Sequence, residues 1–540
     1  MRIKTLQTVS AVFALWWTLS GYPISAHDTK WQIVFEYTEN DLTVLDAQRL
    51  PPTRKEVTRS ADLVSPLVIS CDLSWLDANG KPLHSCPVAL QLGTRSLPSP
   101  DHPSVAVIPE KGTCLVVATG PPIGIEPHEI LLARTGESWS EENLRSRGAP
   151  FSLGFVKKRL ALGTGFPKVA LGPGPIGITK VHSSGDDDNR IIVAILGDGY
   201  TEQNLALGKF AADVQKILSR LQTVSPWKEY LQAINVYRID VVSNEEGIDQ
   251  PATGIQVDSY FESYIDPNNL VIRPNDAKIL FTIFQYLPPP APESIILVCN
   301  TPVYSGGGDI DIASVYNGQG FENVPLLNQG YQFGHLASEF ETGRTSYPEL
   351  QEDRLNWDKT FERDRLKWKH WVEPDTPLPT PETIQYSSVV GAFEGANRWP
   401  TNVYRPYLDC KMRSITPPFC PVCRELLSIK IILPVDLADV VSPPAGTTQT
   451  IPWNGAVFSV YPLDVSPLTY EWKLGGNILS SEVGPNLAIH PEDITSETEE
   501  LRLTIRHPTP FIRKREIFRI YSWILEKGTT SSISGWDRYK

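Results

Sequence analysis

Tyr331-Gln332-Phe333-Gly334-His335-Leu336-Ala337-Ser338-Glu339-Phe340 is the stretch on which the reading of this chain turns. A helix that presents a catalytic metal needs two imidazoles at i and i+4, one turn apart, so that both face one ion. It also needs a carboxylate beside the first imidazole to take a proton from metal-bound water. Here the second His is His335, the first position is Tyr331, and the base position is Gln332. Gln does not exchange a proton near neutral pH, and a phenol is a weak substitute for an imidazole ligand. The stretch predicts the frame of such a helix lining a cleft, with Tyr331, Gln332 and His335 as vestigial catalytic positions.

On the N-terminal side, Arg190 opens a strand whose residues Ile191 to Leu196 are a continuous apolar run suited to burial on both faces. Gly197-Asp198-Gly199-Tyr200 turns the chain, and Thr201 is placed to cap a helix whose stripe is Leu207, Phe210, Val214, Ile217, Leu218 and Leu221. Ala233–Val242 and Ser294–Asn300 read as further strands, with a helix over Asn275–Tyr286 between them. Strand, helix, strand, helix, strand implies a mixed or parallel sheet with helices packed on it. Gly306-Gly307-Gly308 lacks the Lys-Ser/Thr of a phosphate loop and reads as a flexible cleft edge, whose backbone could pair with an extended peptide.

Further out, both flanks are strand-like. Residues 27–168 alternate short strands with turns in the manner of a β-sandwich, and 169–189 reads as a Gly-, Pro- and Asp-rich linker. The middle domain is then 190–428. Residues 429–540 read as an immunoglobulin-like sandwich with Trp472 as core tryptophan, without the inter-sheet Cys pair. Forty-seven Pro and 37 Gly favour this β- and loop-rich architecture over long helices.

Residues 1–26 carry a basic start, Arg2 and Lys4, an apolar run from Val9 to Trp17 and Ile24-Ser25-Ala26 at a cleavage point. The pattern predicts a secretory signal cut near Ala26 and a secreted, periplasmic or extracellular mature protein, with no stable membrane insertion. The net charge is −13, and loss of Arg2 and Lys4 makes the mature chain more acidic still. That argues against a nucleic-acid partner and leaves an extracellular protein or peptide as the expected one.

Seven Cys follow the signal. Cys71 and Cys86 flank the turn Asp77-Ala78-Asn79-Gly80, which predicts a disulfide across a hairpin. Cys420-Pro421-Val422-Cys423 is half of a zinc motif whose second CxxC is missing, so a disulfide from Cys410 to Cys420 or Cys423 is expected instead. Cys114 and Cys299 read as buried thiols.

The middle domain resembles the immunoglobulin-A peptidase family of secreted zinc metallopeptidases, of zincin type. The resemblance rests on ordered motifs: Ile195–Thr201, Asn235–Arg238, Ser243–Gly247, Tyr304–Gly308, Phe333-Gly334-His335, Trp368–Trp371, Phe393–Ala396, Tyr404-Arg405-Pro406, Cys410–Ser414 and Phe419–Cys423. The resemblance implies a helix reading His-Glu-x-Gly-His, followed after a few residues by a Leu-x-Asp-Glu-Tyr-like segment. In this chain Leu336–Phe340 follows His335 directly, with Ser338 where the Asp would stand. It also implies that Met412 lies in a turn beneath the metal position. One imidazole is a poor zinc site, because three protein ligands are the usual minimum.

The expectation is therefore an inactive homologue that keeps a protein- or peptide-binding cleft and needs no cofactor. Two alternatives stay open. One is an active zinc endopeptidase with rearranged ligands, for which Glu339, Glu341 and His370 would join His335. The other is an extracellular interaction protein acting through its β-domains.

Overall fold

The computed structural model describes residues 175–528, apart from 268–269, 288–289, 309–311, 342–353 and 481–483. Before residue 175 it describes the segments 29–38, 42–49, 68–91, 111–120, 129–134 and 157–161. The expected signal at 1–26 lies outside the described residues. The described chain is β-rich and multi-sheet, with few helices.

Six strands form the central sheet: β1 (Gly177–His182), β2 (Ile191–Asp198), β3 (Ile234–Asp240), β4 (Ser294–Cys299), β5 (Gly306–Gly308) and β6 (Ile312–Tyr316). Their order is β5-β6-β4-β2-β3-β1. β2, β3, β4 and β6 run parallel, while the edge strands β1 and β5 are antiparallel to their neighbours. Every residue of β2 is buried. Because side chains alternate along a strand, Ile191, Val193 and Ile195 enter one core while Ile192, Ala194 and Leu196 enter another. Helix α1 (Lys209–Leu221) covers the first face through Phe210, Val214, Ile217, Leu218 and Leu221. Helix α2 (Asp276–Tyr286), capped by the Asn275 side chain, covers the second through Ile279, Leu280 and Ile283.

Two expectations shift here. The helix after Thr201 breaks at Gly208, which adopts φ 74°, so Leu207 leaves the apolar stripe and stands exposed. The run read as a linker supplies β1, because Ile178 packs onto the sheet and the Asn235 and Tyr237 side chains bond Asp187. Asp198, at the end of β2, explains why Gly-Asp-Gly-Tyr stands there. Its fully buried carboxylate accepts from the N–H groups of Phe261 and Ser263 and the Ser259 hydroxyl, pinning the 243–263 loop.

Toward the C-terminus, strands Ala438–Ser442, Ala456–Pro462 and Asn486–Ile489 form one sheet. Thr448–Ile451, Phe518–Lys527, Thr498–Arg506, Thr469–Leu474 and Asn477–Ser480 form a second. Trp472 is fully buried and stacks on Trp523 with ring centroids 5.9 Å apart. The apolar core is continuous from β2 through helix α4 (Pro421–Ile432) to Phe458, Trp472 and Leu525. Helix α4 runs across residues 428–429, where the sequence suggested a boundary. The junction is also polar. Arg190 donates to both carboxylate oxygens of Asp439, at 2.6 and 2.8 Å, and Tyr230 Oη lies 3.2 Å from His507 Nε2.

In the N-terminal region, one three-stranded and one four-stranded antiparallel sheet are described. The Val68–Leu76 and Pro82–Gln91 strands form the expected hairpin. Its register sets Cys71 opposite Val88 and Cys86 opposite Leu73, so the two Cys do not face each other as the turn had suggested. A register shift between Trp75 and Leu76 moves the pairing.

Candidate functional site

Helix α3 (Val324–Gln332) carries the first half of the deciding stretch. It stops one residue past Tyr331 because the chain reverses there. The N–H groups of Phe333 and Gly334 both bond the Gln329 carbonyl, and the Leu336 N–H returns to Gly330. Gly334 permits the reversal: a Cβ there would lie 2.8 Å from the Gly330 carbonyl oxygen and 2.7 Å from Leu427. His335 then adopts φ 49°, a left-handed conformation. The sequence places His335 one helical turn beyond Tyr331; in the structure it lies off the helix, half-buried, and the i, i+4 geometry is gone.

Gln332, at the position the resemblance assigns to the base, has a structural setting. Its carboxamide is buried against the start of β4, accepting from the Ser294 hydroxyl at 3.1 Å and donating to the Glu293 carbonyl at 3.3 Å. Gln329, one turn earlier, accepts from the same hydroxyl at 2.7 Å. The two amides clamp helix to sheet. Tyr331 is half-buried, and burial raises the pKa of its hydroxyl. A catalytic zinc does not fit these residues: one position is a protonated phenol, one a structural amide, and the third has left the helix.

The remaining positions named from sequence fall into separate sites. His370 Nε2 lies 2.6 Å from the Glu425 carboxylate, which also accepts from the Trp371 indole and the N–H groups of Arg513 and Lys514. Glu341 pairs with Arg413 at 2.5 Å. Neither joins His335 and Glu339 in a shared metal-binding group among the described residues. Gly306–Gly308 forms the edge strand β5, with Val271 packed on Gly307 and the Asn328 amide bonding the Gly307 carbonyl. Met412 is fully buried against α3: a Cβ on Gly330 would lie 2.3 Å from its sulfur. A cavity of about 550 Å³ opens elsewhere, between α1 and the 317–322 turn, lined by Lys216, Arg220, Asn317 and Glu322 among others.

Glu339 has a different set of neighbours. The Glu339 carboxyl and the sulfurs of Cys410, Cys420 and Cys423 lie within 4.8 Å of one another, and all four are buried. The thiols are free, which corrects the expected disulfide from Cys410. Local hydrogen bonds gather them: the Cys420 N–H donates to Cys410 Sγ at 3.2 Å, and the Cys423 N–H donates to Cys420 Sγ at 3.4 Å. Cys420 is the N-cap of α4 and Cys423 sits in its first turn. Cys423 also donates its S–H to Glu339 Oε1 at 2.9 Å, beside Asn356 Nδ2 at 3.0 Å. Burial holds the Glu339 carboxyl well above the usual carboxylate range. Burial works against ionisation of Cys420 too, yet bonds from Cys410 and Cys423 bring it down to about 6.

The CxxC gives a hint of this cluster, and the sequence offers Glu339 as a ligand only beside His335; its anchor Asn356 gives no signal. Asn356 clamps both the N–H and the C=O of Ala337, fixing the turn that delivers Glu339. That pairing joins residues on either side of 342–353 and has no local sequence pattern.

Residues 179–386 and 382–432 match the family described as IgA Peptidase M64. The middle of the chain is thus similar to that peptidase family. The curated proteins contain no match. Among solved structures, a beta-glycosidase from Bacteroides vulgatus aligns at 10% identity with a TM-score of 0.12. The alignment covers 91% of this chain and 64% of that one, and a likeness of this size carries no argument.

Proposed function

We propose that this chain is a secreted relative of the IgA peptidases that has lost peptidase chemistry and binds an extracellular protein or peptide. The observation that carries the loss is the placement of Gln332 and His335. The carboxamide at the base position is committed to the Ser294 hydroxyl and Glu293 carbonyl, and the one imidazole sits beyond the end of α3. Metal-assisted hydrolysis needs an ion-polarised water and a base to deprotonate it. Loss of the base alone typically lowers the rate on the order of 10²–10⁴-fold. The leader pattern at 1–26 supports the secretion in this proposal. The test is incubation of the purified full-length protein with immunoglobulin A and with casein, with and without chelator. No cleavage is expected in either arm. Chelator-sensitive cleavage overturns the reading and favours the rearranged-ligand enzyme.

One observation supports binding through the C-terminal sheets. Trp453, Val457, Tyr461 and Val440 are exposed, with Val440 beside Tyr461 in the strand register. Exposed apolar groups that neighbour one another, as Val440 and Tyr461 do, mark interaction surfaces when they form a patch. If this face binds the partner, Val457→Asp with Tyr461→Asp in the full chain weakens capture, while substitutions in α3 leave it unchanged.

A further inference from the structure

Four side chains that α3 does not use form the most metal-like arrangement among the described residues. Three are thiols and one is a carboxyl, and all are nine-tenths or more buried. We propose that Cys410, Cys420, Cys423 and Glu339 bind one zinc ion in a closed, tetrahedral, structural site. This reading is independent of the loss of peptidase chemistry and departs from the expectation of a metal-free chain.

The geometry is close to what the ion requires. Ligands at about 2.3 Å from a common zinc lie roughly 3.7 Å apart in a tetrahedron. The four ligand atoms already fall within 4.8 Å of one another, so a small inward rotation of the side chains completes the shell. Glu339 supplies an independent sign. Its Oε1 accepts from Cys423 and Asn356, but its Oε2 is buried with no hydrogen-bond partner. A buried polar atom without a partner is costly and rare, and an ion beside it would satisfy it.

The donor set selects the metal class. Three soft sulfurs and one oxygen suit zinc, whereas magnesium and calcium require oxygen shells. Four protein ligands leave no open position for water, which makes the site structural and not catalytic. Binding displaces the thiol protons and any carboxyl proton to solvent, so the filled site gains negative charge. The surroundings suit that charge. Cys420 and Cys423 sit at the positive dipole end of α4, where the Cys423 N–H donates to Cys420 Sγ. Lys411, next to Cys410 in the chain, and Arg405, which pairs with Glu382, are both buried basic side chains. The ion would tie together three stretches that packing and single hydrogen bonds, such as the Glu339 N–H to the Met412 carbonyl, already hold: the turn after α3, the Met412 turn, and the start of α4.

The test uses the full-length protein, reduced and then reconstituted with zinc chloride. Elemental analysis is expected to give about one zinc per chain, with X-ray absorption showing mainly sulfur scatterers at about 2.3 Å. Cobalt in place of zinc is expected to show a thiolate charge-transfer band and tetrahedral ligand-field bands. A mercurial reagent should release the zinc as the thiols react. Cys423→Ser and Glu339→Gln are expected to lower zinc affinity at least tenfold. If either fails to fold, the measurements on the unaltered protein still decide. Reconstituted protein without near-stoichiometric zinc, zinc bound only by nitrogen and oxygen, or a native disulfide among the three Cys would each overturn the proposal. Sulfur-bound zinc together with no proteolysis supports both readings. Imidazole-bound zinc with chelator-sensitive cleavage defeats both.

Discussion

In the proposed reading, Gln332 is the residue at which chemistry gave way to structure. In a metal-binding helix a carboxylate here would face solvent and substrate; the amide instead bonds Ser294, the first residue of β4, and Glu293 just before it. An amide can donate and accept at once, and a carboxylate only accepts, so the pair of contacts to a hydroxyl and a carbonyl selects Gln. Gln332→Glu is therefore expected to leave the Glu293 carbonyl facing a buried acid. The loss should be roughly 1–3 kcal/mol, the range for a buried polar group deprived of its partner. Urea unfolding checks this, and the variant, alone or with Tyr331→His, is expected to remain without peptidase activity. Unchanged stability would mean that the amide does not make these contacts in solution.

At the scale of the element, α3 is held from below by Met412. The helix presents Gly330 to the Met412 sulfur, at a separation that leaves no room for a Cβ. Gly330→Ala is expected to overpack this contact and destabilise by about 1–3 kcal/mol, despite the better helix propensity of Ala. Met412→Ala alone opens a cavity and should cost about 2–5 kcal/mol. Combined, the two changes relieve each other, so the double variant should be more stable than the sum of the single losses predicts, by about 0.5–3 kcal/mol. Strict additivity in a double-mutant cycle would place Met412 away from α3.

For the whole molecule, the question is what makes the central sheet and the C-terminal sheets one body. Their apolar core is continuous, and the Arg190–Asp439 pair sits at the junction. Arg190 is almost fully buried while Asp439 remains partly exposed. Burial opposes ionisation of Asp439, but the bonds from Arg190 and Asn189 prevail and lower its pKa below the ordinary 3.8. A depressed carboxyl stabilises the fold fully above its unfolded value, and the contribution is lost as pH falls through the folded one. Stability should therefore drop as pH is taken below about 3.8, in the window between the ordinary Asp value and the lower folded one. Asp439→Asn should lose roughly 2 kcal/mol at neutral pH, since Arg190 keeps its buried charge without the carboxylate. It should also flatten the acid limb. Calorimetry and a pH series of urea midpoints check both, and an unchanged acid limb would assign the dependence to other groups.

What the sequence determined by itself was whatever depends on local order. The apolar run of β2 specified a strand buried on both faces, and the alternation of cores on its two sides follows from the pleat. Thr201 announced its helix start, the helix read over Asn275–Tyr286 begins one residue later with Asn275 as its cap, and Tyr331 and Gln332 stood at the positions on which the proposed loss of chemistry rests. Tertiary structure decided the rest. Sequence could not show that α3 would end before His335, because that end depends on Gly334 packing between the Gly330 carbonyl and Leu427 of a distant helix. Nor could it place His370 on Glu425, or show that the Cys410 sulfur would meet Glu339 and not close a disulfide. Local propensity reads a few residues at a time, whereas a ligand set is assembled by packing between segments whose separation along the chain carries no pattern.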